Sequence, residues 1–310
     1  MTMLFADTDQ GRSFAKDPAV VKLNGVYYMY YTMAPPVSDQ PDTGWGIGRG
    51  IGIARSDNLL DWEKIGELMP EQDCERNGIC APGAIVLEDK VHLFYQTYGN
   101  EAHDAICHAI SGDGLHFVKD SSNPVFSPTG AWNNGRAIDA DVILWDGRLF
   151  MYFATRDPKG KIQMQGVAIA ELDSGFGRGA WRQACDESIL KPELPWEQEC
   201  IEAAAVCEHE GKLFMFYGGA YNNCPQQIGC AVSEDGIGWT RLSDEPFLPN
   251  GEPGTWNESE SGHPFLFKDE DGRTYLFYQG NNDMGRSWYL SMTEIGWKDG
   301  LPYVMQGDAG

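Results

Sequence analysis

The sequence has little positive charge, no long apolar run and no paired cysteine motif. Lys and Arg number 23 against 46 Asp and Glu, which gives a formal net charge of −23. We therefore expect no nucleic-acid partner, because a polyanion would be repelled. No stretch approaches the roughly 18 apolar residues of a membrane helix, so no membrane partner is expected either. The eight cysteines include no CxxC pair, which leaves a zinc site without support.

A secretory signal and long helical patterns are also missing. The opening MTMLFADTDQGRS has no basic segment followed by an apolar one. We therefore expect a cytoplasmic protein with reduced thiols, or a secreted one whose leader has been removed. Short apolar runs alternate with Gly, Asp and Asn turns throughout, which indicates an all-β chain.

What the sequence does contain is a strand–turn–strand unit that recurs about every sixty residues. Each unit begins with an apolar strand, makes a tight polar turn and continues into an aromatic strand. The five copies are Asp17–Thr32, Ala81–Thr97, Asp139–Thr155, Glu202–Gly219 and His263–Gly280. The turns Asn24-Gly25, Asp146-Gly147 and Asp271-Gly272 predict type I′ hairpins, because Asn and Gly tolerate positive φ.

A third strand follows in most units, with a serine six residues before an aromatic ring. The examples are Ser56 before Trp62, Ser111 before Phe117, and Ser233 before Trp239. We interpret each as a strand, an Asp-bearing turn and an outer strand whose ring packs between sheets. Five such four-stranded antiparallel units predict a five-bladed β-propeller around a central channel, as one domain spanning residues 1–310. A pair of β-sandwiches is the alternative.

The first residue of each predicted inner strand is ionisable in four of the five units. The position reads Asp17, Ala81, Asp139, Glu202 and His263. In a propeller these strand ends converge at one mouth of the channel, where like charges raise a carboxyl's pKa and cost stability. Glycosidic cleavage uses such a set: an acid for the leaving oxygen, a carboxylate that activates water or attacks, and a third group that keeps the acid protonated. The alternatives are carboxylates that cap strand amides or hold a structural cation.

At these residues the chain resembles the family 43 glycoside hydrolases. The segments DPAVV, AIDADVILWDG and IEAAAV resemble the family's motifs in blades one, three and four. The resemblance implies that Asp17 is the general base, that Asp139 tunes and orients the acid, and that Glu202 is the general acid. CAPGAIV and SGHPFLF are similar to the family's segments in blades two and five. The closing GRSWYLSMTEIGWKDGLPYV is similar too, which implies that Arg286 binds sugar.

The chain also departs from the family pattern. The usual Glu-Gly-Pro is Glu-Ala-Ala here, which makes Glu199 the fallback acid. Asp139 is followed by Ala140 rather than Pro, and Asp141 adds a carboxylate that we expect to bind substrate. Strict alternation places Asp141 on the same side of the sheet as Asp139, whereas an intervening bulge changes that. By resemblance, His263 binds substrate or holds a central calcium or water cluster; a buried, hydrogen-bonded His is the alternative.

The resemblance implies an inverting, exo-acting glycosidase that hydrolyses a plant- or microbe-derived oligosaccharide, of the β-xylosidase or α-L-arabinofuranosidase type. No cofactor is required, and a structural calcium is the one metal that the resemblance admits. A retaining fructoside hydrolase and a glycoside phosphorylase are alternatives. A phosphorylase should line its site with basic residues, and the inner strands show no basic cluster. An inactive sugar-binding propeller is the non-enzymatic alternative, indicated by Glu-Ala-Ala.

Overall fold

The computed structural model describes residues 3–35 and 50–305, and these residues form five four-stranded antiparallel sheets. The strands of blades one to three are β1 (Lys16–Leu23), β2 (Val26–Thr32), β3 (Ile51–Ser56), β4 (Glu63–Leu68), β5 (Ile79–Leu87), β6 (Lys90–Thr97), β7 (Ile106–Ser111), β8 (Val118–Lys119), β9 (Ile138–Trp145), β10 (Arg148–Arg156), β11 (Gln163–Glu171) and β12 (Arg182–Gln183). The strands of blades four and five are β13 (Ile201–His209), β14 (Lys212–Gly219), β15 (Gln227–Ser233), β16 (Thr240–Arg241), β17 (Glu260–Lys268), β18 (Thr274–Asn281), β19 (Tyr289–Lys298) and β20 (Leu301–Val304).

Within residues 3–35 and 50–305, helix is confined to single 3-10 turns. They lie at Asp73–Glu75, Glu101–His103, Leu172–Ser174 and Pro195–Glu197. Among the described residues, no helix has the length and apolarity needed to cross a membrane.

The first strand of each blade contacts the first strand of the next, which closes a ring. The contacts run from β1 through β5, β9, β13 and β17 back to β1. This arrangement is the five-bladed β-propeller that the repeat predicted. The N-terminal segment packs on the last blade, where Phe5 pairs with Leu290 and the Ala15 N–H donates to the Trp288 carbonyl at 3.1 Å. That residues 1–310 form a single domain stays a prediction.

The aromatic ring that precedes the outer strand packs on the second strand of the preceding blade, as predicted. The edge-to-face pairs are Trp62 with Phe277, Phe117 with Tyr30, and Trp239 with Tyr152, at ring-centroid distances of 6.4, 5.4 and 5.6 Å. The rings of Tyr30 and Tyr152 are fully buried, so these pairs lie in the apolar layers between blades. A single blade is not stable alone. Burial of large aromatic rings between neighbouring sheets stabilises each blade against the next.

Two of the three predicted hairpin turns are of type I′. Both residues of Asn24-Gly25 and of Asp146-Gly147 have positive φ. The prediction for Asp271-Gly272 is wrong, because only the glycine there has positive φ. A longer loop replaces the two-residue turn, and it is closed by the Asp269 N–H, which donates to the Arg273 carbonyl at 2.9 Å.

Every inner strand carries a bulge near its start, and the bulged residue has a φ between 43° and 52°. These residues are Asp17, Ala81, Asp139, Ala203 and His263. In four blades this is the residue that the repeat singled out. In blade four it is Ala203, so Glu202 lies one position earlier than its expected equivalence with Asp17 and Asp139.

The bulges are held by side chains of the preceding blade. Four bulged N–H groups donate to such oxygens: Asp17 to Gln279 at 3.0 Å, Ala81 to Thr32 at 2.8 Å, Asp139 to Gln96 at 2.7 Å, and His263 to Gln226 at 3.0 Å. A positive φ costs a residue other than glycine about 1–3 kcal/mol, so it persists only where the surroundings impose it. The interblade hydrogen bonds are such a constraint, and they fix the side chains of the bulged residues at one mouth of the ring.

Candidate active site

A cavity of about 170 Å³ lies at the end of the ring where the inner strands begin. Asp17, Asp139 and Glu202 all line it, and each residue is less than a tenth exposed. The structure therefore brings together the three carboxylates that the sequence singled out, and it adds His263 to the same wall.

Asp17 is surrounded by groups that favour its ionised form. Thr32 Oγ1 donates to Asp17 Oδ2 at 2.5 Å, and His263 Nδ1 lies 3.1 Å from Asp17 Oδ1. Lys16 Nζ lies 3.9 Å from the same oxygen. Burial alone would raise the pKa of Asp17, but His263, Lys16 and Thr32 together outweigh it, and the pKa is lowered. Asp17 is therefore a carboxylate at neutral pH.

Lys16 is a buried cation beside this carboxylate. Its ammonium group lies over the Trp288 ring, 4.4 Å from the centroid. Burial lowers the pKa of Lys16, yet the charges of Asp17, Glu260 and Glu202 outweigh burial and raise it. Lys16 thus stays charged and partly neutralises the acidic cavity.

A fourth carboxyl group, that of Glu260, lies close to the cavity. It is fully buried and accepts from Gln279 Nε2 at 2.8 Å and from the Asn223 N–H at 2.6 Å. Burial raises the pKa of Glu260 to about 7, although Lys16 opposes the shift. Gln279 connects this carboxyl to the site, because its Oε1 accepts the Asp17 N–H.

Asp139 has the opposite electrostatic character from Asp17. Burial, and then the negative charges of Glu202 and Asp17, raise the pKa of Asp139 well above its usual range. Burial and these charges therefore favour the neutral form of the Asp139 carboxyl group. Two carboxyl groups in one cavity, one with its pKa lowered and the other with its pKa raised, are a common arrangement in acid–base catalysts.

Glu202 receives one amide donor on each carboxylate oxygen. Gln163 Nε2 donates to Oε2, and Gln226 Nε2 donates to Oε1 at 2.6 Å. The two glutamines come from different elements: Gln163 begins β11 of blade three, and Gln226 immediately precedes β15 of blade four. The carboxylate orientation is therefore fixed from two sides.

Two guanidinium groups complete the wall of the cavity. Arg136 Nη1 and Arg156 Nε each donate to Gln163 Oε1 at 3.1 Å. Arg136 also approaches the buried Asp104, with Nε 3.6 Å from Oδ2. Together with Lys16, they give the described wall of the cavity three cations, none of which was singled out from the sequence.

Three other predicted residues lie outside this cavity. Arg286 is exposed in the turn between β18 and β19 and is not part of the wall. The fallback acid Glu199 pairs with Lys161 Nζ at 2.6 Å on the surface. Asp141 lines a second cavity, of about 290 Å³, formed by the later residues of the inner strands.

The bulge at Asp139 explains the position of Asp141. Strict alternation would place the two carboxylates on the same side, but the pairing of β9 with β10 shifts register between Tyr152 and Ala154, opposite the bulge. Asp141 Oδ2 instead accepts the Val206 N–H of blade four at 2.8 Å. Burial raises the pKa of Asp141 to about 7.

The resemblance connected His263 with a central calcium or water cluster. Within residues 3–35 and 50–305, no three His, Cys, Asp or Glu side chains group as metal ligands would. Burial lowers the pKa of His263 despite the opposing charge of Asp17, so the ring is neutral and can donate from Nδ1 to Asp17 Oδ1. The calcium expectation stays a prediction.

The residues that the sequence did not single out had weak signals. Lys16 directly precedes Asp17 in an apolar strand, which is an unusual place for a lysine. Arg156 ends the second strand of blade three, and Arg136, Gln163 and Gln226 lie before or at strand starts. None of these positions recurs from blade to blade, so the repeat could not indicate them.

Comparison with known proteins gives a consistent family assignment. Residues 11–302 match the profile of glycosyl hydrolases family 43. The 1,2-β-oligomannan phosphorylase of Thermoanaerobacter sp. (strain X514) is 27% identical over 236 residues, which cover 74% of this chain and 71% of that enzyme. A β-xylosidase of Xylanibacter ruminicola is 24% identical over 154 residues, covering 47% of this chain and 45% of the xylosidase.

Solved structures share the fold. The crystal structure of a thermostable family-43 glycoside hydrolase superposes with a TM-score of 0.72 at 23% identity, covering 98% of this chain and 96% of that one. At this identity the likeness carries the fold alone.

Proposed function

The chain belongs to glycosyl hydrolase family 43, and from this premise we propose that it hydrolyses the terminal glycosidic bond of an oligosaccharide. The observation that carries the proposal is the single cavity lined by Asp17, Asp139 and Glu202, in which the pKa of Asp17 is lowered and that of Asp139 is raised. Acid–base cleavage of a glycoside requires one ionised carboxylate and one protonated carboxyl group.

In the proposed mechanism Asp17 is the general base. Its ionised carboxylate takes a proton from water as the water oxygen bonds to the anomeric carbon. The bond from that carbon to the leaving oxygen breaks, and Glu202 donates the proton that this oxygen takes up. Asp139 lines the same cavity, and the repulsion between its charge and that of Glu202 favours the protonated acid that this step needs. Inversion requires the carboxyl groups of Asp17 and Glu202 to lie ~6.5–9.5 Å apart, so that a water fits between base and sugar.

The size of the cavity supports exo action. Its volume of about 170 Å³ is below the roughly 300–1,000 Å³ of common ligand pockets, which favours one sugar ring rather than several. Xylose and arabinofuranose are the rings that the family resemblance suggests.

A screen of nitrophenyl glycosides tests the proposal. We expect release of nitrophenol from a β-xyloside or an α-L-arabinofuranoside, with the inverted anomer as the first product seen by proton NMR. Retention of configuration would contradict the assignment of Asp17 as a base. Sugar binding by calorimetry without cleavage of any aryl glycoside or oligosaccharide would favour the inactive sugar-binding propeller.

Phosphorolysis is the second candidate, and the three cations of the cavity favour it. Lys16, Arg136 and Arg156 all line the cavity, and the inner-strand sequence had given no sign of such a cluster. In this reaction a phosphate oxygen replaces water and bonds to the anomeric carbon, while the leaving oxygen takes the proton from Glu202. Similarity to the oligomannan phosphorylase supports the same candidate.

The dependence of cleavage on inorganic phosphate distinguishes the two candidate reactions. Cleavage of a β-1,2-linked mannooligosaccharide that needs phosphate and yields a sugar 1-phosphate supports phosphorolysis. Hydrolysis at an unchanged rate without phosphate supports the first candidate. Arg156→Gln should raise KM for phosphate only if phosphorolysis operates, and Arg148→Gln, in the turn at the start of β10, is the matched control.

A further inference from the structure

Gln163 joins two cations to one carboxylate without an ion pair. Its Oε1 accepts from Arg136 Nη1 and Arg156 Nε, both at 3.1 Å, and its Nε2 donates to Glu202 Oε2. The residue is 1% exposed, so water does not compete for these contacts. The side chain therefore connects the guanidinium groups to Glu202 through one buried amide.

The orientation of this amide is fixed by its partners. Guanidinium groups are donors only, so the atom that faces Arg136 and Arg156 is the carbonyl oxygen. The NH₂ group must then face Glu202. The same reasoning applies to Gln226, whose Oε1 accepts the His263 N–H at 3.0 Å and whose Nε2 donates to Glu202.

An amide that lies between a cation and a carboxylate stabilises the ionised carboxylate less than a direct ion pair does. Two cations on the carbonyl oxygen polarise the amide and strengthen its N–H as a donor. A donor to a carboxylate favours the ionised form, but less than an arginine in contact would. A direct ion pair with Arg136 or Arg156 would therefore oppose protonation of Glu202 more strongly than the amide does.

We propose that Gln163 is a positioning residue that orients Glu202 and relays the charge of Arg136 and Arg156 to its carboxyl group, so that it helps to set how readily Glu202 gives up its proton. The inference rests on the proposed roles of Asp139 and Glu202. Other charged or titratable groups that interact with Glu202 come from every blade around it except blade two: Cys200 and Tyr221 of its own blade, Asp139 of blade three, Lys16 of blade one, and Glu260 and His263 of blade five.

The test compares Gln163→Met with Gln165→Met. Methionine has a similar length but no N–H donor. Gln165 lies two residues along β11, is fully buried, and its side-chain atoms have no hydrogen-bond partner among the described residues, so it controls for burial of methionine in the same strand. Gln163→Met should move the basic limb of the pH profile of kcat up by about one pH unit, because the loss of the amide donor favours the protonated form of Glu202. We also expect about a tenfold fall in kcat, because Glu202 is less well oriented.

A second variant strengthens the test. Gln163→Glu places a carboxylate beside Glu202 and should move the basic limb further in the same direction. An unchanged limb in both Gln163 variants, with only a lower kcat, would reduce Gln163 to a structural residue. An equal shift in Gln165→Met would also overturn the proposal.

A readout that needs no substrate separates this inference from the proposed function. Carbon-13 NMR titration of the carboxyl carbons, with Asp139→Asn and Glu202→Gln used for assignment, follows the protonation of these two side chains directly. If the wild-type protein had no glycosidase activity, the proposed function would be refuted, but the titration would still test whether Gln163 affects the protonation of Glu202. The midpoint of the Glu202 titration should move to higher pH in Gln163→Met, which lacks the donor to Glu202, and should stay unchanged in Gln165→Met.

Discussion

The hydroxyl of Thr32 lies between the Asp17 carboxylate and the Ala81 amide, and its proton points to Asp17. The Ala81 N–H donates to Thr32 Oγ1 at 2.8 Å, which leaves the hydroxyl proton for Asp17 Oδ2 at 2.5 Å. The proposed base of blade one and the bulge of blade two therefore depend on one side chain. This hydrogen bond is one cause of the lowered pKa of Asp17.

Replacing Thr32 by Val should raise the pKa of Asp17 and also lower the free energy of unfolding. Without its donor, Asp17 loses a contact that favours ionisation, so its pKa rises and the acidic limb of kcat/KM moves up by about one pH unit. The unpaired Ala81 N–H should cost about 1–3 kcal/mol of unfolding free energy. Thr32→Ser keeps the hydroxyl and should retain the wild-type acidic limb. A limb that stays in place in Thr32→Val would show that Asp17 does not set it.

Asp17→Asn and Glu202→Gln should each reduce kcat by about 10²- to 10⁴-fold, because each removes one proton transfer. The two losses should depend differently on the leaving group. Dinitrophenol leaves without protonation, so Glu202→Gln should cleave dinitrophenyl glycosides at a rate close to that of the wild type, while Asp17→Asn should not. Rates on dinitrophenyl and methyl glycosides check this, and equal losses on both substrates for Glu202→Gln would contradict its role as the acid.

Asp141→Asn should leave catalysis intact, because the carboxylate lines the second cavity and not the one with Asp17 and Glu202. We expect kcat and KM within about twofold of the wild type on the best substrate of the screen. A large rise in KM would restore the sequence-based expectation that Asp141 binds substrate.

The same substitution should change how stability depends on pH. The pKa of Asp141 is about 7 in the folded protein against 3.8 in a free side chain, so the folded state binds the proton more tightly. The resulting stability is fully present below pH 3.8 and is lost as pH rises through 7. Relative to the wild type, Asp141→Asn should therefore gain up to about 4 kcal/mol between pH 4 and pH 8. Urea unfolding at both pH values measures the gain, and an identical difference at the two would refute it.

Gly83→Ala should disturb the contact between blades two and three. A Cβ at Gly83 would lie 2.0 Å from the carbonyl oxygen of Ala140, the residue after Asp139. Backbone cannot yield cheaply, so we expect a loss of about 1–3 kcal/mol and a lower kcat from displaced Asp139. Gly112→Ala, where a Cβ meets nothing within 4 Å, is the control and should match the wild type. Chemical unfolding and kcat check both variants.

The parts of the fold and site that recur could be predicted from the sequence, and the parts that do not recur could not. Five copies of one strand pair predicted the blades, and the ionisable residue at the strand start identified Asp17, Asp139 and Glu202. The repeat gave no information about Gln163 or Gln226, because each occurs in one blade only and acts through a side chain from a neighbouring element.

Backbone irregularity accounts for the other differences. In each inner strand the bulge separates the first paired residues from the regular part of the strand. A residue that lies one position away from the expected place relative to the bulge therefore has its side chain on the other face of the sheet. The offset between Glu202 and Asp17, and the separation of Asp141 from Asp139, both follow from it. Sequence patterns report alternation and do not report the point at which alternation is interrupted.

The hydrogen bond from the Asp17 N–H to Gln279 spans 262 residues, nearly the length of the described chain. During synthesis, the first blade is made long before the residue that anchors its bulge. Contacts of such long sequence separation form late, because loop closure opposes them until other structure has brought the ends together. A growing chain therefore carries its proposed base in an unanchored strand, and the catalytic geometry arises only when the fifth blade docks against the first.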